Sequence, residues 1–364
     1  MAISKRLFRH LRLAIFTLAV FLVVYSLTYT NPFYVEHNND IFAGHSPFNV
    51  RNLQHMRAAE TGASTEDIKS FRASDPTLLF QPEFETGDET SRIIFIGDIH
   101  GCIDQFNSLL DKLQFQQGKD QIVLVGDLVA KGPDSLAVIQ KASSIGAWCV
   151  RGNHDDRVIR WREFLDGPGK GLSTEEISAL EDSGDLPYPD FKVKKEHYTI
   201  AGQLAADEFA FLKSFPAIMA PPPPYTEWIV VHAGLEANKP ISNQTADTCM
   251  TIRNVTPTGP SSSTDEGVGW FDIWAAKMAV VEGLPPNPLT TPPTSTKENF
   301  NNINFNKIIY GHDASRGLQI HDYTKGLDSR CVYGGNLTAF ILPGEELVSV
   351  GCIDYDGAAP NNGD

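Results

Sequence analysis

Cysteine is scarce: only Cys102, Cys149, Cys249, Cys331 and Cys352 occur in 364 residues. They are too few and too scattered to form a disulfide framework, and being odd in number they leave at least one thiol free or paired between chains. No pairing follows from their spacing. Basic residues are also short, 30 Lys and Arg against 45 Asp and Glu, for a formal charge of −15. That balance argues against nucleic acid as a partner. Long apolar runs are limited to one near the start, Leu13 to Tyr29, preceded by Lys5, Arg6, Arg9 and Arg12. At about 1.5 Å per residue it spans about 26 Å, close to a bilayer's hydrocarbon core. The sequence predicts one transmembrane helix within residues 1–30, with the basic end cytosolic and the rest luminal.

Residues 31–90 have no sustained periodicity and 10 acidic against 4 basic residues, which predicts a mostly irregular tether, with a helix possible near Thr65. From Arg92 the pattern changes. Ile93 to Ile96 reads as a buried strand that ends at Gly97 and delivers Asp98 and His100. Alone, Gly97-Asp98 is turn chemistry, but the arrangement recurs. Apolar runs end at Gly126-Asp127, at Arg151-Gly-Asn-His-Asp155, at His232-Ala-Gly234 and at Gly311-His312. Helical spacing over Ile103 to Leu113 and Ser135 to Ser144 alternates with these strands, which predicts an α/β fold with its site at the carboxyl ends of strands.

Asp98, His100, Asp127, Asn153, His232 and His312 together suit two divalent ions about 3.5–4 Å apart, a device that clamps both oxygens of a phosphoryl transfer. Mixed oxygen and nitrogen ligands admit zinc, manganese, cobalt or iron.

The ordered series Gly97-Asp-Ile-His-Gly101, Gly126-Asp127, Gly152-Asn-His-Asp155, His232-Ala-Gly234 and Gly311-His312 resembles the phosphoprotein phosphatase family of metallophosphoesterases. Gly126-Asp-Leu-Val-Ala-Lys-Gly-Pro133, Asp155 and the stretch Leu327 to Phe340 bring it closest to the ApaH-like branch, the symmetrical diadenosine tetraphosphatases. The resemblance implies a metallophosphoesterase-type β-sandwich flanked by helices over residues 91–352, with a Ser/Thr/Pro-rich insertion at about 256–300 and an acidic tail at 353–364. It implies that Asp98, His100 and Asp127 hold one metal and that Asp127, Asn153, His232 and His312 hold the other, with zinc as the first expectation. By the same likeness His154 protonates the leaving oxygen and Arg253 grips phosphate, with Arg151 as a second candidate.

Protein phosphatases of the family carry Asp-Arg where this chain has Ala130-Lys131. The carboxylate that orients their catalytic histidine is therefore missing: either another group, Asp155 or Asp104, replaces it, or His154 acts without one. Lys131 keeps a cation for substrate binding but loses the planar fork. These changes suit phosphoanhydrides, which have good leaving groups. With an anchor in front, the chain resembles the fungal vacuolar endopolyphosphatases of this branch, which makes inorganic polyphosphate, cut internally by a type II vacuolar membrane protein, the leading expectation. Dinucleoside tetraphosphate is the alternative substrate, and a Ser/Thr protein phosphatase ranks third. A scaffold on a dead enzyme fold would have lost ligands, and none is lost. Asn243, Asn254 and Asn336 begin glycosylation triplets, the first the best placed.

Overall fold

The computed structural model describes residues 63–82, 91–281 and 305–355, all within one unit of the chain, residues 61–364. In chain order, α1 (Thr65–Ser70) and β1 (Leu79–Phe80) precede β2 (Arg92–Ile96), α2 (Ile103–Lys112), β3 (Asp120–Leu124), α3 (Ser135–Ser144) and β4 (Trp148–Cys149). Helices α4 (Asn153–Asp166), α5 (Thr174–Ser183), α6 (Glu196–Gln203) and α7 (Ala206–Lys213) follow, then β5 (Ile218–Met219) and β6 (Trp228–Val231). Helix α8 (Ala246–Thr251) leads to β7 (Asn254–Thr256), β8 (Gly259–Ser261), β9 (Val268–Gly269) and α9 (Trp270–Val281). The last strands are β10 (Lys307–Tyr310), β11 (Gln319–Ile320), β12 (Thr324–Gly326), β13 (Asn336–Leu342) and β14 (Glu346–Gly351).

Two mixed sheets form a sandwich, one ordered β14-β13-β2-β3-β4 and the other β1-β5-β6-β10-β12-β11. The reason lies in the alternation along each buried strand. On β2, Ile93 and Phe95 join Val123, Trp228, Val230, Ile309 and Phe340 between the sheets. Ile94 and Ile96 point the other way, into Phe106, Leu109, Ile139 and Trp161 from the helices. Beyond the second sheet, Ile229, Val231, Ile308 and Tyr310 meet Trp270 and Trp274 of α9. Strands buried on both faces read as continuous apolar runs, which is why the period-two signal was invisible in them. Each such side chain contributes about 1.5–3 kcal/mol on burial.

Register places the functional loops. Ile96 pairs with Leu124, and Leu124 pairs with Cys149, all in parallel. Chain exits at Gly97, Val125 and Val150 therefore leave side by side. In the second sheet Ile309 pairs with Val230 in parallel, so the exits to Gly311 and His232 are also neighbours. The two groups join where the Gly311 N–H donates to the His232 carbonyl at 2.7 Å.

Several expectations need correction. Part of the stretch read as an irregular tether is built onto the domain: β1 pairs with β5, and Ser74 bonds Glu163 through its N–H at 2.6 Å and its hydroxyl at 2.8 Å. At the start of the Ser/Thr/Pro-rich insertion expected at about 256–300, β7, β8 and β9 form a small antiparallel sheet, and α9 follows it from Trp270. Cys331 and Cys352 are disulfide-bonded, whereas Cys102, Cys149 and Cys249 are free and buried. Asn254 is 2% exposed and donates to the Glu266 carbonyl, so a folded chain offers no access there, whereas Asn336 and Asn243 are exposed. The apolar run at residues 13–29 lies outside the described residues, and among those no helix is long and apolar enough to cross a membrane.

Candidate active site

Asp127 is the centre of the site. It is 2% exposed and stands at the exit of β3 with φ of 53°, in the left-handed region. His100 and His312 are also left-handed, with φ of 46° and 68°. Non-glycine residues held there are uncommon and store strain, and such strain gathers at functional sites. The neighbouring glycines are required by close approach. A Cβ on Gly152 would lie 2.2 Å from Asp127 Oδ1, and one on Gly311 would lie 2.0 Å from Asp98 Oδ1.

Two trios share Asp127. Donor atoms of His100, Asp127 and His154 lie within 4.8 Å of one another, and so do those of Asp127, His232 and His312. Asp127 Oδ2 stands 3.5 Å from His100 Nε2 and 3.4 Å from His232 Nε2. The Asn153 side-chain oxygen lies 3.2 Å from His232 Nε2. Asp98 stands in neither trio; its two oxygens lie 3.2 and 3.1 Å from the His312 N–H. Five of the six residues expected to hold metal therefore meet around Asp127, and the sixth braces the loop that carries His312.

The outward side of each ring is tied to a backbone carbonyl. His100 Nδ1 bonds Val129 O at 3.0 Å, His232 Nδ1 bonds Val125 O at 2.8 Å, and His312 Nε2 bonds Thr251 O at 3.2 Å. A carbonyl only accepts, so each tie fixes the tautomer and leaves the opposite nitrogen as a lone pair for the site. Burial holds the His100 imidazole down at about 4 and keeps that of His312 well below its usual value. Burial lowers His232 too, but Asp127 and Asp98 outweigh it and raise it to about 9. Burial raises the Asp127 carboxyl, yet the surrounding histidines hold it well below the usual range. A shared buried carboxylate facing imidazoles of fixed orientation, with His100 and His312 held neutral and His232 having a proton to give up to an ion, is a donor set that fits divalent metal.

His154, the first-turn residue of α4 after Asn153, gives its backbone N–H to Asp127 Oδ1 at 2.9 Å. Neither expected carboxylate orients its ring. Asp104 is exposed on α2, and Asp155 turns into the backbone, where it accepts from the N–H groups of Asp127, Leu128 and Gly152 at 2.9, 3.0 and 3.0 Å. Instead His154 Nδ1 lies 2.8 Å from Nε2 of His197, a residue sequence reasoning missed. Nothing in Lys195-Glu-His-Tyr198 marks it; the missing carboxylate at Ala130 was the sole hint.

Among the candidate substrate contacts, Arg253 reaches the His312 carbonyl through Nη2 at 3.1 Å and its side chain is 26% exposed, so the guanidinium borders the site. Lys131 donates from Nζ to the Tyr333 hydroxyl at 2.9 Å, and its backbone N–H goes to Glu196 at 2.6 Å. Arg151 does not serve as a phosphate grip. It is 1% exposed, bonding the Lys213 carbonyl at 2.8 Å and Asp156 at 3.3 Å. Arg157 and Arg160, which follow on α4, are paired with Asp190 and so are not free to receive a polyanion.

Comparison with known proteins agrees with this geometry. The calcineurin-like phosphoesterase family model matches residues 91–316. A symmetrical bis(5'-nucleosyl)-tetraphosphatase of Janthinobacterium is 28% identical over 73% of this chain and 98% of its own length. One from Methylobacillus flagellatus is 28% identical over 74% and 98%. The crystal structure of a protein provisionally named a diadenosine tetraphosphatase superposes with a TM-score of 0.54 at 29% identity, covering 77% of this chain and 99% of that one. With the family's motifs on the loops that meet at Asp127, the chain belongs to the calcineurin-like phosphoesterases.

Proposed function

We propose that the protein is a dinuclear-metal hydrolase of phosphoanhydride bonds, with symmetrical dinucleoside tetraphosphates as its leading substrates. The observation that carries the chemistry is Asp127 shared by two histidine-containing trios, with His100, His232 and His312 fixed in tautomer by backbone carbonyls. Asp98, His100 and Asp127 would serve one ion and Asp127, Asn153, His232 and His312 the other, with zinc first and manganese or cobalt as alternatives. Two bound ions would polarise the phosphoryl group and acidify the attacking water. Arg253 would hold non-bridging phosphate oxygens through its fork, and Lys131 would add a point charge. His154 is fixed beside Asp127 and is placed to donate to the leaving oxygen. The named relatives support the nucleotide substrate.

Inorganic polyphosphate, the substrate first favoured, is the second reading. It rests on likeness and on an apolar run outside the described residues, as does the vacuolar, membrane-anchored placement, and the formal charge of −15 does not favour a long polyanion. One experiment separates the two. Purified protein is incubated with diadenosine tetraphosphate and, separately, with long-chain polyphosphate, each with Zn, Mn or Co. The first reading expects two ADP per substrate. Shortened polyphosphate without nucleotide cleavage reverses the order, and ATP with AMP contradicts the symmetrical mode.

A further inference from the structure

His197 has no part in the function as argued so far, yet it is built into the site. It sits in the first turn of α6 and is 3% exposed. Its ring stacks on His154 with centroids 5.0 Å apart at 23°. Glu196 next to it accepts the Lys131 N–H, so one helix end fixes both the His154 ring and the loop that replaces Asp-Arg. The opposite nitrogen of His197, Nδ1, is buried with no hydrogen-bond partner among the described residues.

That orphan atom decides where the protons sit. One proton lies between His154 Nδ1 and His197 Nε2, and each neutral ring carries one proton in all. Were His154 the donor, His197 would hold its own proton on Nδ1, leaving a buried N–H with no acceptor. Buried N–H groups left without an acceptor are rare. With His197 donating from Nε2, its Nδ1 is merely an unused acceptor. His154 then accepts at Nδ1 and carries its proton on Nε2, the nitrogen left for the site. A carboxylate in this position could only accept, and would hold the proton on the wrong nitrogen of a neutral ring.

We propose that His197 is the positioning residue for His154, fixing the tautomer in which a neutral ring presents an N–H to the leaving oxygen. The inference rests on the role given to His154 above. In that tautomer the Nε2–H stabilises the leaving oxygen by a hydrogen bond without having to be surrendered as a proton. That suits a phosphoanhydride, whose leaving group is stable as an anion, and not a serine or threonine alkoxide.

The test is a mutant cycle on diadenosine tetraphosphate, or on polyphosphate should that be the substrate cleaved, with metal content and melting temperature followed alongside. His197→Phe keeps a ring without the donor, and His197→Gln keeps a nitrogen donor near Nε2. The expected result is a kcat lower by about 10–100-fold in His197→Phe at unchanged KM, largely restored in His197→Gln. In a His154→Ala background, His197→Phe should cause no further loss. Equal losses in the Phe and Gln variants, an unchanged kcat in His197→Phe, or the same loss in both backgrounds would overturn the proposal. Should His154→Ala itself retain full activity, the role of His154 fails, and the inference with it; should it lose activity while His197→Phe does not, the inference alone fails.

Discussion

The Asp155 carboxylate accepts the backbone N–H of Asp127 at 2.9 Å, so one residue after the candidate donor His154 holds the shared candidate ligand in its left-handed conformation. Burial and the nearby Asp127 charge push its pKa up to about 7, while the Gly152 and Leu128 N–H groups and His232 pull it down. Replacing Asp155 by Asn leaves one accepting oxygen where two were used. Hydrogen bonds to a charged group contribute about 1.5–3 kcal/mol, so Asp155→Asn should lose about 2 kcal/mol of unfolding free energy and most metal affinity. Denaturant unfolding and metal titration read both; an unchanged midpoint would count against this bracing role.

The glycines that admit the candidate ligands allow a sharper test. A Cβ at Gly152 would stand 2.2 Å from both the N and Oδ1 of Asp127, which a well-packed backbone cannot absorb without moving the carboxylate. Gly152→Ala should lower metal affinity by about 10–100-fold, as loss of a ligand's support usually does. Gly118→Ala is the contrasting control, since open space surrounds its position although its φ of 82° adds local strain. Equal metal affinity in the Gly152 variant and the wild type would refute the close-approach argument.

Much of this was legible because the site is local in sequence: each candidate ligand follows an apolar run within four residues, and each run became a strand. Ser173 three residues before Glu176 has the capping-box spacing, and the structure contains that box at the start of α5. What was not legible is non-local. The His154–His197 contact joins helices 43 residues apart, and Arg151 is buried because α7 supplies the Lys213 carbonyl for it. The Cys331–Cys352 bond depends on strands β13 and β14 turning back on each other, which five scattered cysteines do not reveal. The small β7–β8–β9 sheet was hidden by a Ser- and Gly-rich composition that reads as loop.

That disulfide spans a sequence separation of 21 residues. Loop closure of this size restricts the unfolded chain by about 3 kcal/mol. Cys331→Ala with Cys352→Ala should therefore lower stability by about that amount. Unfolding under oxidising and reducing conditions checks it: the wild type should fall to the double variant's midpoint when reduced, and a midpoint insensitive to reductant would contradict it.

Stability should also depend on acid through Arg92 and Asp120, a two-pronged pair at 2.8 and 2.7 Å with the carboxylate side chain 1% exposed. Burial raises the Asp120 pKa, but the Arg92 bonds and the Gln116 N–H outweigh it, so the folded value is depressed. A depressed carboxyl stabilises above its unfolded pKa of about 3.9 and loses that contribution as pH falls through the folded value. Unfolding free energy should drop below about pH 4, and Asp120→Asn should flatten that limb while costing about 2 kcal/mol at neutral pH. A limb as steep in the variant as in the wild type would exclude this pair as its source.

Arg253 borders the site without touching its centre, so Arg253→Ala should raise KM for a phosphoanhydride substrate about tenfold or more with a smaller change in kcat. Arg151→Ala should act through folding, with a lowered melting temperature, because the side chain is 1% exposed. A KM effect confined to Arg151 would reverse the two assignments.

Metal analysis of the purified protein beside Asp127→Asn decides whether Asp127 is shared by two metal ions. Two divalent ions per chain in the wild type, with both lost and hydrolysis reduced by at least about a hundredfold in the variant, is the predicted result. A wild type that binds no metal under saturating zinc or manganese, or an Asp127→Asn protein as active as its parent, would contradict it.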